Sequence, residues 1–82
     1  MPTIITLNGI RIYINYNDHQ PPHVHAQYGE CEAAFSLQTG EIIAGDFPKH
    51  QTKIVTELIL TNSDELLNMW ETVREGGQAW KL

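Results

Sequence analysis

Leu7–Tyr16 reads LNGIRIYINY, and this stretch decides what the first half of the chain is. An Asn-Gly pair between apolar residues is a strong hairpin signal, because a two-residue type I′ turn needs positive φ at both central positions. From Gly9 onward, Ile10, Ile12, Ile14 and Tyr16 alternate with Arg11, Tyr13 and Asn15. That is the period of a half-buried strand with a polar outer face. TIIT, just before the turn, starts the same period-two region. NDHQPP then breaks the pattern, since Asn and Asp favour turns and two prolines supply no ladder donors. A second alternation follows, with Val24, Ala26 and Tyr28 on one face and His23, His25 and Gln27 on the other. Gly29-Glu30 makes the next turn. Cys31, Ala33, Phe35 and Leu37 then alternate with Glu32, Ala34 and Ser36. QTGE turns again into a short, buried-looking IIAG.

The second half changes to the helical period. Pro48 suits the start of a helix, after which Ile54, Val55, Leu58 and Ile59 form an apolar stripe. TNSDELL offers Asn62 as an N-cap with Glu65 three residues on, the spacing of a capping box. Leu66, Leu67, Trp70 and Val73 form the next stripe, and Gly76-Gly77 ends it. Two helices joined near Thr61-Asn62 are the preferred reading, with one bent helix as the alternative. The expected fold is α+β: an antiparallel meander of about four to five strands followed by two C-terminal helices packed on one face.

With 82 residues the chain is expected to form a single domain over residues 1–82. A hydrophobic content of 41% is enough for a compact core. One cysteine, Cys31, permits no internal disulfide and points to a reducing compartment. The start lacks the basic and apolar regions of a signal peptide, and no apolar run approaches a membrane span. The expected location is the cytoplasm, without membrane association. The net charge of −5 comes entirely from residues 30–82, while residues 1–29 carry only Asp18 against Arg11. Such an acidic half argues against a sequence-independent grip on nucleic acid, which needs Lys and Arg to neutralise phosphates.

The chemistry-bearing stretch is DHQPPHVH, Asp18–His25, which holds three of the four histidines. His23 and His25 are two apart on a strand and therefore share a face, together with Gln27 and with Arg11, Tyr13 and Asn15 of the preceding strand. Pro21-Pro22 stiffens the link to His19 and Asp18. In a metal reading, His23 and His25 bind a divalent ion such as zinc or manganese. His19 or Asp18 adds a third ligand and one position stays open for water. Cys31 is a candidate fourth ligand, although its alternation places it with the core. In a metal-free reading, the two imidazoles act as acid and base on a phosphodiester while Arg11 steadies the anion. The plainest alternative is a rigid polar loop on a solvated sheet face. His50 reads as a residue near a helix start. Trp70 belongs to the core stripe, and Trp80 to a tail that docks back or serves as an interface anchor. Glu57, Glu71 and Glu75 read as a solvated helix face.

MPTII, DHQPPHVHAQYGECEA, TGEIIAG and NSDELLNMW together resemble the short bacterial proteins grouped as domain of unknown function 4160, over about residues 1–75. Asp18, His19, Pro21, Pro22, His23 and His25 match a D-H-x-P-P-H-x-H motif in full. The resemblance implies a small cytoplasmic bacterial protein that forms half of a two-protein module of toxin–antitoxin type, its partner a small protein from a neighbouring gene. It implies no catalytic residue. The leading functional expectation is a histidine cluster binding a divalent metal through Asp18, His19, His23 and His25, or a phosphate-like anion through Arg11, His23 and His25. The alternative is a non-catalytic interaction module that docks a basic neighbour on its acidic helices or sheet edge. Sheet edges also allow a homodimer. Whether the protein is an enzyme stays open on the sequence.

Overall fold

The Asn8-Gly9 turn forms as its composition requires, with φ of 51° at Asn8 and 79° at Gly9. In a computed structural model, which describes residues 3–15 and 19–82, this turn joins β1 (Thr3–Leu7) to β2 (Ile10–Tyr13). β3 (His23–Tyr28), β4 (Cys31–Ser36) and β5 (Ile42–Gly45) follow, then α1 (Lys49–Thr61) and α2 (Ser63–Arg74). The strands form one sheet in the order β1-β2-β3-β4-β5, with every neighbouring pair antiparallel. This is the expected α+β meander with two C-terminal helices. Among the described residues, no helix is long and apolar enough to cross a membrane.

The alternation places Ile10, Ile12, Val24, Ala26, Ala33 and Phe35 on the inner face, where they join Val55 and Ile59 of α1 and Leu66, Met69, Trp70 and Val73 of α2 in one core. Phe35 and Trp70 are its largest fully buried rings. Burial of this kind is the main favourable contribution in so small a chain. The strand that begins at Ile10 ends at Tyr13, sooner than the alternation suggested. Ile14 is still buried, but it and Asn15 lie beyond the sheet ladder, and Tyr16 falls outside the described residues.

Three local expectations are corrected. IIAG is not buried: Ile43 is 46% exposed, and Ala44 and Gly45 also face solvent. Ile42 is half-buried against the core, but the meander ends at this strand, so the rest of β5 forms an exposed edge. Second, no capping box forms at α2. Asn62 makes no N-cap bond and instead donates from Nδ2 to the Leu58 carbonyl at 2.9 Å, finishing α1. Its sequence position allowed either end, and the break between helices placed the side chain on the C-terminal carbonyls. Glu65, the other half of the expected box, accepts from Trp80 Nε1 at 2.8 Å. Third, Cys31 is half-buried rather than core, being at the start of β4 opposite Tyr28.

Beyond Gly76-Gly77 the tail returns to the sheet. The Leu82 amide donates to the Ile4 carbonyl at 2.9 Å, while Ala79, Trp80 and Leu82 pack against the core. The β1 edge is thereby partly covered, in contrast to β5. At the β4–β5 pairing the register shifts between Ala34 and Phe35, and Gly45, opposite Ala33, has φ of 82°. A Cβ at Gly45 would run into the Glu32 carbonyl oxygen, so only glycine permits this approach of β5 to β4.

Candidate functional site

The outer face of the sheet carries the polar half of each alternation. Cross-strand pairing sets Tyr13 opposite His25 and His25 opposite Ala34, with Ala34 in turn opposite Ala44. Arg11 lies opposite Gln27 and Gln27 opposite Glu32; His23 lies opposite Ser36. His23 and His25 thus share a face, as their spacing required.

Each ring is held by identifiable partners. His23 is only 7% exposed. Its Nδ1 lies 2.7 Å from the Pro21 carbonyl oxygen. A carbonyl can only accept, so Nδ1 carries the proton and Nε2 is the basic nitrogen. His25 is half-buried and stacks on Tyr13, with centroids 5.2 Å apart and planes at 17°. The Asn15 amide donates from Nδ2 to His25 Nε2 at 3.2 Å, which puts the proton of the neutral ring on Nδ1. The two imidazoles meet edge to face with centroids 5.0 Å apart. His19 is exposed, 6.4 Å from His23 by centroid, and donates from Nδ1 to the Gln20 carbonyl at 3.1 Å.

Two residues outside the sheet join this group. Trp70, fully buried on α2, lies 6.4 Å from the His23 ring by centroid. Its indole Nε1–H is buried and, among the described residues, has no hydrogen-bond acceptor. Arg74, in the last turn of α2, lays its guanidinium over the Trp70 ring at 4.9 Å. The Trp70–Arg74 spacing of four on a helix was a usable signal for that pair. Nothing in the sequence signalled the approach of Trp70 to His23.

Arg11, the expected anion partner, stands on the far side of Tyr13 from the histidine pair in the chain of contacts. It covers the Tyr13 ring at 4.5 Å, donates from Nε to Thr3 Oγ1 at 2.8 Å, and reaches Gln27 Oε1 at 3.4 Å. Asp18, the expected acidic ligand, lies outside the described residues. Cys31 is five positions from Ser36 along β4, on the order of 16 Å from the row that holds His23, and is not brought to the cluster. His50 is exposed in the first turn of α1. Among the described residues, no three His, Cys, Asp or Glu side chains are grouped to hold a metal ion. Within that set, no acid is in ring or hydrogen-bond contact with the three imidazoles. Glu32 accepts from the Tyr13 hydroxyl at 3.0 Å.

A family model described as Domain of unknown function (DUF4160) matches residues 9–71, and the chain belongs to that family. The matched stretch runs from the start of β2 through most of α2 and includes the histidine cluster. No curated protein and no solved structure matches the chain.

Proposed function

We propose that the protein binds a phosphate-like anion at the end of the sheet where His23 and His25 meet Trp70 and Arg74. The observation that carries this reading is a buried indole donor beneath a guanidinium. Among the described residues, the buried Trp70 indole N–H has no acceptor, and a buried unsatisfied donor costs about 1–3 kcal/mol. Beside it stand the Arg74 guanidinium, over the indole ring, and the His23 imidazole. Anions stabilise such a group of donors, and a phosphate has oxygens for several of them. The fixed imidazole pair also has the chemistry for acid–base work on a phosphate ester, one ring basic at Nε2 and the other protonated at Nδ1.

A second reading is supported by one specific feature. His19 and His23 both place Nδ1–H on a backbone carbonyl and keep Nε2 basic, the arrangement that metal-ligating histidines use. Zinc or manganese would then take these two nitrogens and further ligands from the Asp18 segment.

The test is an NMR titration of the full chain with inorganic phosphate and, separately, with zinc. Phosphate binding should move the ring protons of His23 and His25 together with the Trp70 indole N–H, and His23→Ala should weaken it about tenfold, the loss of one charge-assisted hydrogen bond. If phosphate leaves the Trp70 indole N–H unmoved while zinc binds one-to-one and perturbs His19 and His23, the anion reading is replaced by the metal one.

A further inference from the structure

Next to His25, on the side of β4 and β5, the outer face holds a shallow depression of ≈ 220 Å³ lined by His25, Glu32, Ala33, Ala34, Ala44 and Gly45. Its walls are one imidazole and one carboxylate. Its floor is made of the smallest side chains available, and Gly45 cannot be enlarged because of its approach to the Glu32 backbone. The volume suits one ring system and falls below the usual range for larger ligands.

The floor is uncharged and Glu32 is the carboxylate of the lining, so the depression disfavours the anion proposed for the end of the sheet at His23. One carboxylate and one imidazole are also too few ligands for a metal ion. What fits is a flat neutral ring whose edge carries N–H donors. The cross-strand row runs Tyr13, His25, Ala34, Ala44, and its first two members are already stacked rings. A heterocycle over Ala34 and Ala44 is next in that row and meets the imidazole as a stacking partner. Glu32, two residues from Ala34 on the same face, is oriented by the Tyr13 hydroxyl on Oε2.

We infer that this depression is a base-binding subsite for guanine, and that the complete ligand is a guanine nucleotide whose phosphate occupies the site at His23. Guanine offers two adjacent donors, N1–H and the N2 amino group, which match the two oxygens of a carboxylate. Adenine puts the lone pair of N1 beside its amino group and would turn an acceptor toward Glu32. From Glu32 to Ser36, opposite His23, β4 spans on the order of 13 Å, comparable to a nucleotide from base edge to phosphate. The phosphate half of this inference rests on the anion reading above, whereas the base half does not.

The experiment is amide NMR titration of the intact chain with guanosine, adenosine, GMP and inorganic phosphate. Guanosine should shift the amides of Ala34, Ala44 and Gly45, adenosine should bind about tenfold more weakly, and GMP should bind more tightly than guanosine. Glu32→Gln should weaken guanosine about tenfold while leaving inorganic phosphate unaffected. Ala44→Leu, at an exposed position that tolerates the larger side chain, should abolish the guanosine shifts. Equal binding of the two nucleosides, or a silent Glu32→Gln, overturns the base subsite. Guanosine binding without phosphate binding removes the anion reading and the nucleotide with it, leaving the base subsite intact. Phosphate binding without guanosine binding removes the base subsite alone.

Discussion

Gly45 offers a quantitative test of how β5 is held, with Gly29 as its control. Both residues have positive φ, 82° at Gly45 and 58° at Gly29. A Cβ at Gly29 meets nothing within 4 Å, whereas at Gly45 it meets the Glu32 carbonyl oxygen and lies 3.0 Å from Ala33 Cα. Gly29→Ala should therefore cost only the left-handed backbone, about 1 kcal/mol. Gly45→Ala adds a collision with two backbone atoms that cannot rotate away. β5 must then lift from β4, and each ladder hydrogen bond lost costs about 1 kcal/mol net. The sum is about 2–4 kcal/mol, against a total stability of about 4–12 kcal/mol for a chain of this size. Urea unfolding followed by circular dichroism reads the difference. With a slope of about 1 kcal/mol per molar, Gly45→Ala should lower the midpoint by about 2–4 M and Gly29→Ala by about 1 M. Equal midpoints for the two variants would refute the close approach of β5 to β4 and remove the floor of the base subsite.

Three further outcomes follow from the geometry. Because Asn62 caps the end of α1, Asn62→Ala should cost about 0.5–1.5 kcal/mol, and Asn62→Asp should cost more by turning a carboxylate toward the Leu58 carbonyl; a stabilising aspartate in thermal melts would mean the side chain caps α2 after all. Glu65→Ala removes the acceptor of Trp80 Nε1, so tryptophan emission should shift to the red with helix content unchanged, and an unaltered spectrum would show that the tail does not dock there. Arg74→Ala removes the guanidinium over the Trp70 ring, so phosphate should bind about tenfold more weakly in calorimetry; unchanged affinity would count against an anion site that includes Arg74.

The parts of this protein that were legible in the sequence are those governed by short-range geometry. A type I′ turn needs Asn-Gly, a strand alternates at period two, and an apolar stripe at the helical period marks a buried face. These rules were sufficient for the meander, the two helices, the inner core and the common face of His23 and His25. They located Trp70 in the core as well, since its place in the stripe is local information. Where two local rules competed, the sequence was ambiguous: Asn62 suits either side of a helix break, and IIAG has the composition of a buried strand and the position of an edge.

The site was only half legible, because its other half comes from a different part of the chain. Packing of α2 on the sheet brings Trp70, with Arg74 over its ring, to His23, an approach across more than forty residues that no periodicity encodes. Strand register, with its shift between Ala34 and Phe35, sets Glu32 and the alanines beside His25. The return of the tail gives Glu65 to Trp80 instead of to a cap. The sequence by itself determined which residues face outward and which inward, because that depends on the backbone repeat. Which outward residues become neighbours depends on long-range packing, and only the tertiary structure decided it.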